Sequence, residues 1–477
     1  MRLAIIPLVL ALSACSLTPA LVQPNAAVPA HYPVITATHG EVSAATLGWH
    51  AMFGDPRLRQ LIDTALRHNQ DLRLATLNVA SVQAQYRLQR SAQLPSVEAS
   101  AGATRGRAQD QLNGTGTSLQ QQKFVQLGIT AFELDLWGRM SAMSEAASAR
   151  YLASEEAQRA AKISLVAAVA DAYYAERLAE EQRMIADHIL QSWNEQHRLA
   201  SQLYKAGQGS RYDLTQLNAQ LSRASTERST RERELQRARN ALLQLTGMAA
   251  LPSDLPAPLA LDRPAVQTRL AAGLPSDLLV ERPDIRQAEQ NLKAANADIG
   301  AARAAFLPRI SLTASTGYAS PALHTLFGSD QRTWNFSPQI SQPLFDGGRL
   351  RAELRLSELR QQAAIAEYER AIQIALREVA DGLAGSASFA QQQTDQQHIV
   401  AEAQRRTELS EQRYRAGLDS RTDYLENLRQ YHVARQEMLS LQHADISNAI
   451  ALYKALGGGQ YRVSARVPDA GGSGSLQ

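Results

Sequence analysis

The chain has 477 residues, of which only 5% are aromatic, with 49 Lys and Arg against 46 Asp and Glu and a formal net charge of +3. That balance leaves no basic footprint for nucleic acid, and a middle rich in Gln, Ala, Arg and Glu favours long helices over several compact cores. Cys15 is the only cysteine, which excludes an intramolecular disulfide and any Cys-based metal site.

Met1-Arg2 precedes an apolar run from Leu3 to Leu12, followed by the small residues Ser13 and Ala14. Residues 1–14 therefore read as a secretory signal peptide, too short to span a bilayer. Leu12-Ser13-Ala14-Cys15 resembles the bacterial lipoprotein processing box, which implies that Cys15 becomes the lipidated first residue of the mature chain, carrying fatty acid such as palmitate. The alternative is an ordinary signal with an incidental cysteine. In that lipoprotein class, Ser16 rather than Asp after the cysteine implies the outer membrane. Residues 15–48 hold Pro19, Pro24, Pro29 and Pro33 with few periodic apolars and read as an extended, lipidated N-terminal arm.

A first structural repeat is expected over 49–281. Asp55-Pro56 sets a cap and first turn for a helix with Leu58, Leu61, Ile62 and Ala65 inward, and a second helix over about 71–93 ends at Leu94-Pro95. The period then changes to two. Val97, Ala99, Ala101 and Ala103, and later Val125, Leu127, Ile129 and Ala131, alternate with polar or small residues, predicting strands at about 94–106 and 123–135. Gly114-Thr115-Gly116 lies in the loop between them. From Arg139 to Leu203 a proline-free tract predicts a helix of about 100 Å. The stretch 204–213 interrupts it, with Gly207 as helix stop and Ser210-x-x-Asp213 as helix start. A further helix runs to Thr246, Gly247 stops it, and the proline-rich 248–281 reads as a connector.

The pattern then restarts over 282–457. Leu307-Pro308 repeats Leu94-Pro95, strands are expected at about 307–319 and 334–345, and a second long helix covers about 349–413. The stretch 414–423 is a near-copy of 204–213 displaced by 210 residues, with Gly417 and Ser420-x-x-Asp423 in place. Each half reads as helix, two strands, long helix, hairpin tip, helix, so that two short helices stacked end to end can run antiparallel to the long one. Residues 458–477 read as a flexible tail.

Strands of this length with one apolar and one polar face suit a membrane, and no apolar helix of spanning length is present. Four strands cannot close a barrel and an open edge is not tolerated in lipid, so several chains would have to contribute. A soluble sheet domain capping a coiled coil is the alternative.

The lipoprotein-like start, the Leu-Pro strand openings, the junctions Asp135-Leu136-Trp137-Gly138-Arg139 and Gln342-Pro343-Leu344-Phe345-Asp346-Gly347-Gly348-Arg349, and the doubled Tyr-x-Ala-Gly tip resemble the TolC/OprM outer membrane factors, lipoprotein (NodT-like) branch. The resemblance implies a mainly α protein with a transmembrane β part: a homotrimer whose long helical hairpins form an α-barrel and whose four strands per chain build one twelve-stranded β-barrel. It implies a non-enzymatic exit duct of a tripartite efflux pump, anchored in outer membrane lipid, reaching into the periplasm, and meeting a periplasmic adaptor and an inner membrane efflux pump. Tyr204, Ala206, Gly207, Ser210 and Asp213 of the first tip, and Tyr414, Ala416, Gly417 and Ser420 of the second, are the candidate adaptor and pump contacts. Asp423 and Glu426 match the acidic pair that narrows the family's periplasmic mouth, with Glu where relatives such as TolC carry a second Asp. Asp213 and Asp423 also read as helix-capping acids, and across a trimer the gate carboxylates would repel and raise one another's pKa.

The ten histidines show no ligand spacing and no phosphate-binding glycine motif opens a helix, so no catalytic, metal or cofactor site is expected. Trp137 and Trp334, near strand ends, suit either an aromatic girdle or simple packing. A metal-ion efflux or type I secretion duct of the same architecture, and a non-conducting lipoprotein scaffold, are the functional alternatives.

Overall fold

The structure is a computed structural model that describes residues 17–22, 24, 28–30, 32, 42–43, 47–109, 117–262, 265–271 and 273–459. The signal segment, Cys15, the loop Gly114-Thr115-Gly116 and residues 460–477 of the expected tail lie outside the described residues. The chain divides into two compact units, one within 1–25, 77–155 and 287–369, the other within 26–76, 156–286 and 370–477.

The first unit holds one antiparallel sheet. Strands β2 (Val97–Gln109), β3 (Thr117–Glu133), β5 (Arg309–Ser320) and β6 (Arg332–Ser341) lie side by side in that order. The register carries the alternation across all four. Val97, Ile129, Ala314 and Phe336 form one row, and Ala99, Leu127, Thr316 and Trp334 the next; Glu98, Gly128, Ser315 and Asn335 make a row on the opposite face. The apolar face is bare in a single chain: Trp334 is 77% exposed. The outer edges of β2 and β6 pair with no other strand among the described residues, so the sheet is open at both sides.

Two expectations about the strands need correcting. The second strand begins at Thr117 rather than near 123, and the last ends at Ser341 rather than 345, opposite Arg309 where its partner β5 begins. The alternation also does not continue through Ala131. A bulge intervenes between the pairs Ile129–Ala314 and Phe132–Leu312, Ala131 takes φ +50°, and its N–H donates to Thr313 Oγ1 at 3.1 Å. The extra residue turns Phe132 to the apolar face and leaves Glu133 on the polar one, where it meets Arg139 at 2.6 Å. Without the bulge, simple alternation would set Glu133 among the apolar residues. Trp137 donates to Pro308 O at 2.7 Å, so its indole ties the strand-to-helix junction together.

The helices follow the expected repeat closely. Short helices α1 (Trp49–Met52) and α2 (Pro56–His68) precede α3 (Gln70–Ser91); α4 (Arg139–Lys205) runs 67 residues and α5 (Arg211–Thr246) 36. In the second half α7 (Pro283–Ala304), α8 (Arg349–Arg415, again 67 residues) and α9 (Arg421–Ala455) repeat α3, α4 and α5. The connector is more structured than its prolines suggest. It holds β4 (Leu270–Ala271), which pairs in parallel with β1 (Val42–Ser43) of the N-terminal arm, and the short helix α6 (Leu278–Glu281). The arm is also gripped in the first unit, where Asn296 Nδ2 donates to Pro19 O at 2.8 Å and Gly300 leaves room for Thr18.

In the second unit the end-to-end stacking of short helices is explicit, and the two repeats solve it with different residues. Buried Asn69 caps α3 by accepting from Leu72 N at 2.9 Å and donates to Leu245 O, near the end of α5, at 2.9 Å. Arg282 stands at the matching place before α7 and donates to Ala455 O, at the end of α9, at 2.9 Å. Gly247 and Gly457 complete each joint with φ +68° and +94°; a Cβ there would lie 2.6 Å from His68 O and 3.0 Å from Glu281 O. Around these joints, Leu58, Leu61, Ile62, Val169, Tyr173, Leu242, Val379 and Tyr453 form the core. Asp55 sits within it, 1% exposed, capping α2 through Arg57 N and Leu58 N and accepting from Tyr173 OH at 2.7 Å.

Candidate functional site

Both tips belong to the second unit and close in the same way. Gly207 and Gly417 take φ +72° and +74°, which an L side chain adopts only with strain. Their N–H groups donate to Tyr204 O and Tyr414 O at 3.0 Å, and the next residues, Gln208 and Leu418, donate to Leu203 O and Arg413 O at 2.9 Å. This pair of backward bonds satisfies the last carbonyls of each long helix. Ala206 and Ala416 continue the helical ladder onto Gln202 O and Gln412 O.

Beyond the turn the copies part. At the second tip Ser420 Oγ accepts from Asp423 N at 3.2 Å, and Asp423 Oδ2 accepts from Ser420 Oγ at 2.6 Å and from Ser420 N at 3.3 Å, a reciprocal capping box. At the first tip Ser210 Oγ accepts from Tyr212 N instead, and the Asp213 carboxylate accepts no hydrogen bond among the described residues. Asp213 is thus not the capping acid its spacing suggested. It retains only a place in the first turn of α5, where the helix dipole favours an anion. The second tip is braced further by features with no equivalent in the first. Arg413 holds Asp419 through three contacts of 2.8 to 2.9 Å, which keeps the Asp419 carboxyl below its ordinary pKa, and Tyr414 stacks on Tyr424 at 6.1 Å. At the first tip the corresponding positions are Leu203, Gly209 and Leu214. A comparison of the two copies for charge pairs present in only one would have found Arg413 and Asp419.

Glu426 lies one turn beyond Asp423 and is held within its own helix. Arg429 donates to it at 2.6 and 2.9 Å and Gln430 Nε2 at 3.1 Å. These bonds, Arg429 first, take the Glu426 carboxyl down to about 2. Within one chain the direction is therefore opposite to the rise expected from neighbouring carboxylates. Gln430 in turn accepts from Arg406 Nη1 of α8 at 3.2 Å, so α8 and α9 are joined by a line Arg406, Gln430, Glu426, Arg429. The α4 residues Ile189, Ser192 and Trp193 face Leu425, Leu428 and Arg429 of α9 across a small crevice, placing the base of the candidate gate against the first long helix. No hydrogen bond or ion pair among the described residues joins the first tip to the second, and no group of three or more His, Cys, Asp or Glu there could hold a metal ion.

Comparison with known proteins gives these features a context. A family model for outer membrane efflux protein matches residues 61–248 and 274–458, one match to each half of the repeat. The chain is 40% identical over 461 residues to the probable efflux pump outer membrane protein TtgC of Pseudomonas putida, covering 96% of this chain and 95% of that protein. It is 38% identical over 456 residues to the cation efflux system protein CusC of Escherichia coli, covering 94% and 97%. Among solved structures, the open state of the Neisseria gonorrhoeae MtrE outer membrane channel matches with a TM-score of 0.85 at 38% identity, over 93% of this chain and 98% of that one.

Proposed function

This chain belongs to the outer membrane efflux protein family and is an outer membrane efflux channel; from that premise we propose that three copies close one duct whose periplasmic mouth is set by the second tip. The observation that carries the proposal is the sheet, whose bare apolar face and two free edges have no role in a single chain. Three such sheets supply the edges each lacks, close a barrel and turn the apolar rows to lipid. In this reading the duct is passive: an inner membrane pump supplies the energy, a periplasmic adaptor joins the two, and the tips with Tyr204, Gly207, Tyr414 and Gly417 meet those partners. Cys15 carries the lipid anchor, and Asp423 and Glu426 ring the mouth. A toluene efflux pump outer membrane protein of Pseudomonas putida and the cation efflux system protein CusC resemble this chain to nearly the same degree, 40% and 38%, so the likeness selects no cargo.

Purified protein in a planar bilayer tests the duct: discrete single-channel steps are expected, and a preparation that inserts without conducting would favour the scaffold reading. Cys15→Ser is expected to abolish palmitate labelling in cells, whereas labelling that persists would remove Cys15 as the acceptor.

The gate carboxylates should also give the duct a cation preference with a particular pH profile. Glu426 has a folded pKa below the ordinary 4.5, so its charge and its pairing with Arg429 persist as pH falls through that value and fade only near 2. Repulsion between copies works in the other direction, and the 2.6 Å contact with Arg429 opposes it. The part of the cation preference that Glu426 supplies, read from reversal potentials in a salt gradient, should therefore persist as pH falls through 4.5, and in Arg429→Ala be lost as pH falls through that value. Identical profiles in the two proteins would count against the pairing.

A further inference from the structure

Beside the second tip, between α8 and α9, lies a groove of about 510 Å³ whose border includes Glu402, Arg405, Arg406, Ser410, Arg413 and Asp419. Ser410 is only 4% exposed, and its Oγ has no hydrogen-bond partner among the described residues. A buried hydroxyl in that state is destabilising until something supplies a partner. Three guanidiniums border the space. Arg405 is paired with Glu402 at 3.0 Å and Arg413 with Asp419 at 2.8 Å, whereas Arg406 meets only the amide oxygen of Gln430 at 3.2 Å and no carboxylate among the described residues. The groove thus offers one unneutralised guanidinium and one unmet hydroxyl. Guanidinium forks and hydroxyls together suit a carboxylate. The first hairpin has nothing similar, since the positions matching Arg405, Arg406, Ser410 and Arg413 are Glu195, Gln196, Ala200 and Leu203.

We propose that this groove receives a carboxylate side chain of the periplasmic adaptor on Arg406 and Ser410, and that Gln430 passes the contact on to Glu426. The inference rests on the reading of the hairpins as adaptor-facing. A carboxylate is a stronger acceptor for Arg406 than the Gln430 amide oxygen it now contacts. Once Arg406 turns to the incoming acid, Gln430 loses the bond that fixes its amide, and with it the geometry of its 3.1 Å bond to Glu426. Docking in the groove is thereby coupled to a mouth carboxylate, and only on the second of the two hairpins.

The test uses the full-length channel and the purified adaptor with which it restores efflux in cells. Arg406→Glu should weaken adaptor binding at least about tenfold, which is about 1.4 kcal/mol, and a reciprocal acid-to-Arg change at one position of the adaptor's hairpin should restore it. Ser410→Ala should weaken binding less, and Glu195→Lys on the first hairpin should leave it unchanged. Gln430→Leu should still bind adaptor but lose the adaptor-dependent change in conductance. Binding of Arg406→Glu within about twofold of wild type, no rescuing acid on the adaptor, or an unaltered conductance response in Gln430→Leu would each overturn the proposal. If Arg406→Glu instead dissociates the channel into single chains, the groove belongs to a neighbouring copy and the proposal fails. A wild-type channel that does not bind the adaptor at all would overturn the adaptor-facing reading itself.

Discussion

Truncation of Arg282 to alanine is expected to destabilise the helical unit by about 3 kcal/mol, read as a lowered melting temperature of the purified channel. Arg282 is 5% exposed and sits where three helices meet. Its fork grips Asp284 at 2.9 and 2.6 Å, its Nη1 reaches Glu378 of α8 at 2.8 Å, and the same nitrogen donates to Ala455 O at the end of α9. Removal leaves two carboxylates without their cation and a terminal helix carbonyl without its donor, and each loss is largest where water is excluded. Asp284 and Glu378 are partly exposed, at 39% and 35%, which holds the figure at the low end for a broken buried pair. Arg282→Lys keeps the charge but not the fork, so it should recover only part of the loss. Asn69→Ala, which breaks the matching joint of the first repeat, should cost about 2 kcal/mol because no ion pair is involved. Equal melting temperatures for wild type and Arg282→Ala would show that the joint is held by the apolar packing around it.

The two joints also mark where sequence reading stops. The repeat, the order of its elements and both tips follow from residue type at fixed spacing: Leu-Pro before a strand, Gly at a left-handed stop, Ser at a helix start. Asn69 and Arg282 do the same work with unrelated side chains, so self-comparison of the sequence hides them; only the shared partner, the last carbonyl of the preceding helix, reveals the equivalence. The bulge at Ala131 was hidden for another reason. Period-two reading assumes an unbroken ladder, and the register defect is visible only once β5 is laid against β3. The pairing of Val42–Ser43 with Leu270–Ala271 joins segments that carry no periodic pattern. At the second tip the acids were legible, but the cations that set their behaviour were not. Arg429 is three residues from Glu426 on the same helix, and Arg406 reaches it through Gln430 from the opposite one. The first tip shows the converse, where spacing suggested a capping acid and Ser210 bonds to Tyr212 N instead.

Asp423→Ala combined with Glu426→Ala is expected to make the closed duct leakier, raising its resting conductance by about tenfold, and to abolish its cation preference. The two acids act on successive turns of α9 by different means. Asp423 closes the capping box with Ser420, and losing such a cap costs about 1 kcal/mol. Glu426 anchors Gln430, and through it Arg406 of α8; as an exposed pairing it adds about 0.5 kcal/mol. Together these contributions hold the start of α9 in place with about 1.5 kcal/mol, and about 1.4 kcal/mol is tenfold in a two-state population. Relief of repulsion among acids from three chains works against this opening. Each acid, however, already has a local partner in its own chain, Ser420 or Arg429, so the loosened turn outweighs the relieved charge. Separate substitutions divide the two effects. Asp423→Asn keeps an acceptor for the Ser420 hydroxyl and should leak little, whereas Glu426→Gln keeps the side-chain length but loses the ion pair and should shift selectivity more than conductance. Bilayer conductance of the double variant equal to wild type, with cation preference intact, would remove both residues from the gate and leave Asp423 as a capping acid alone.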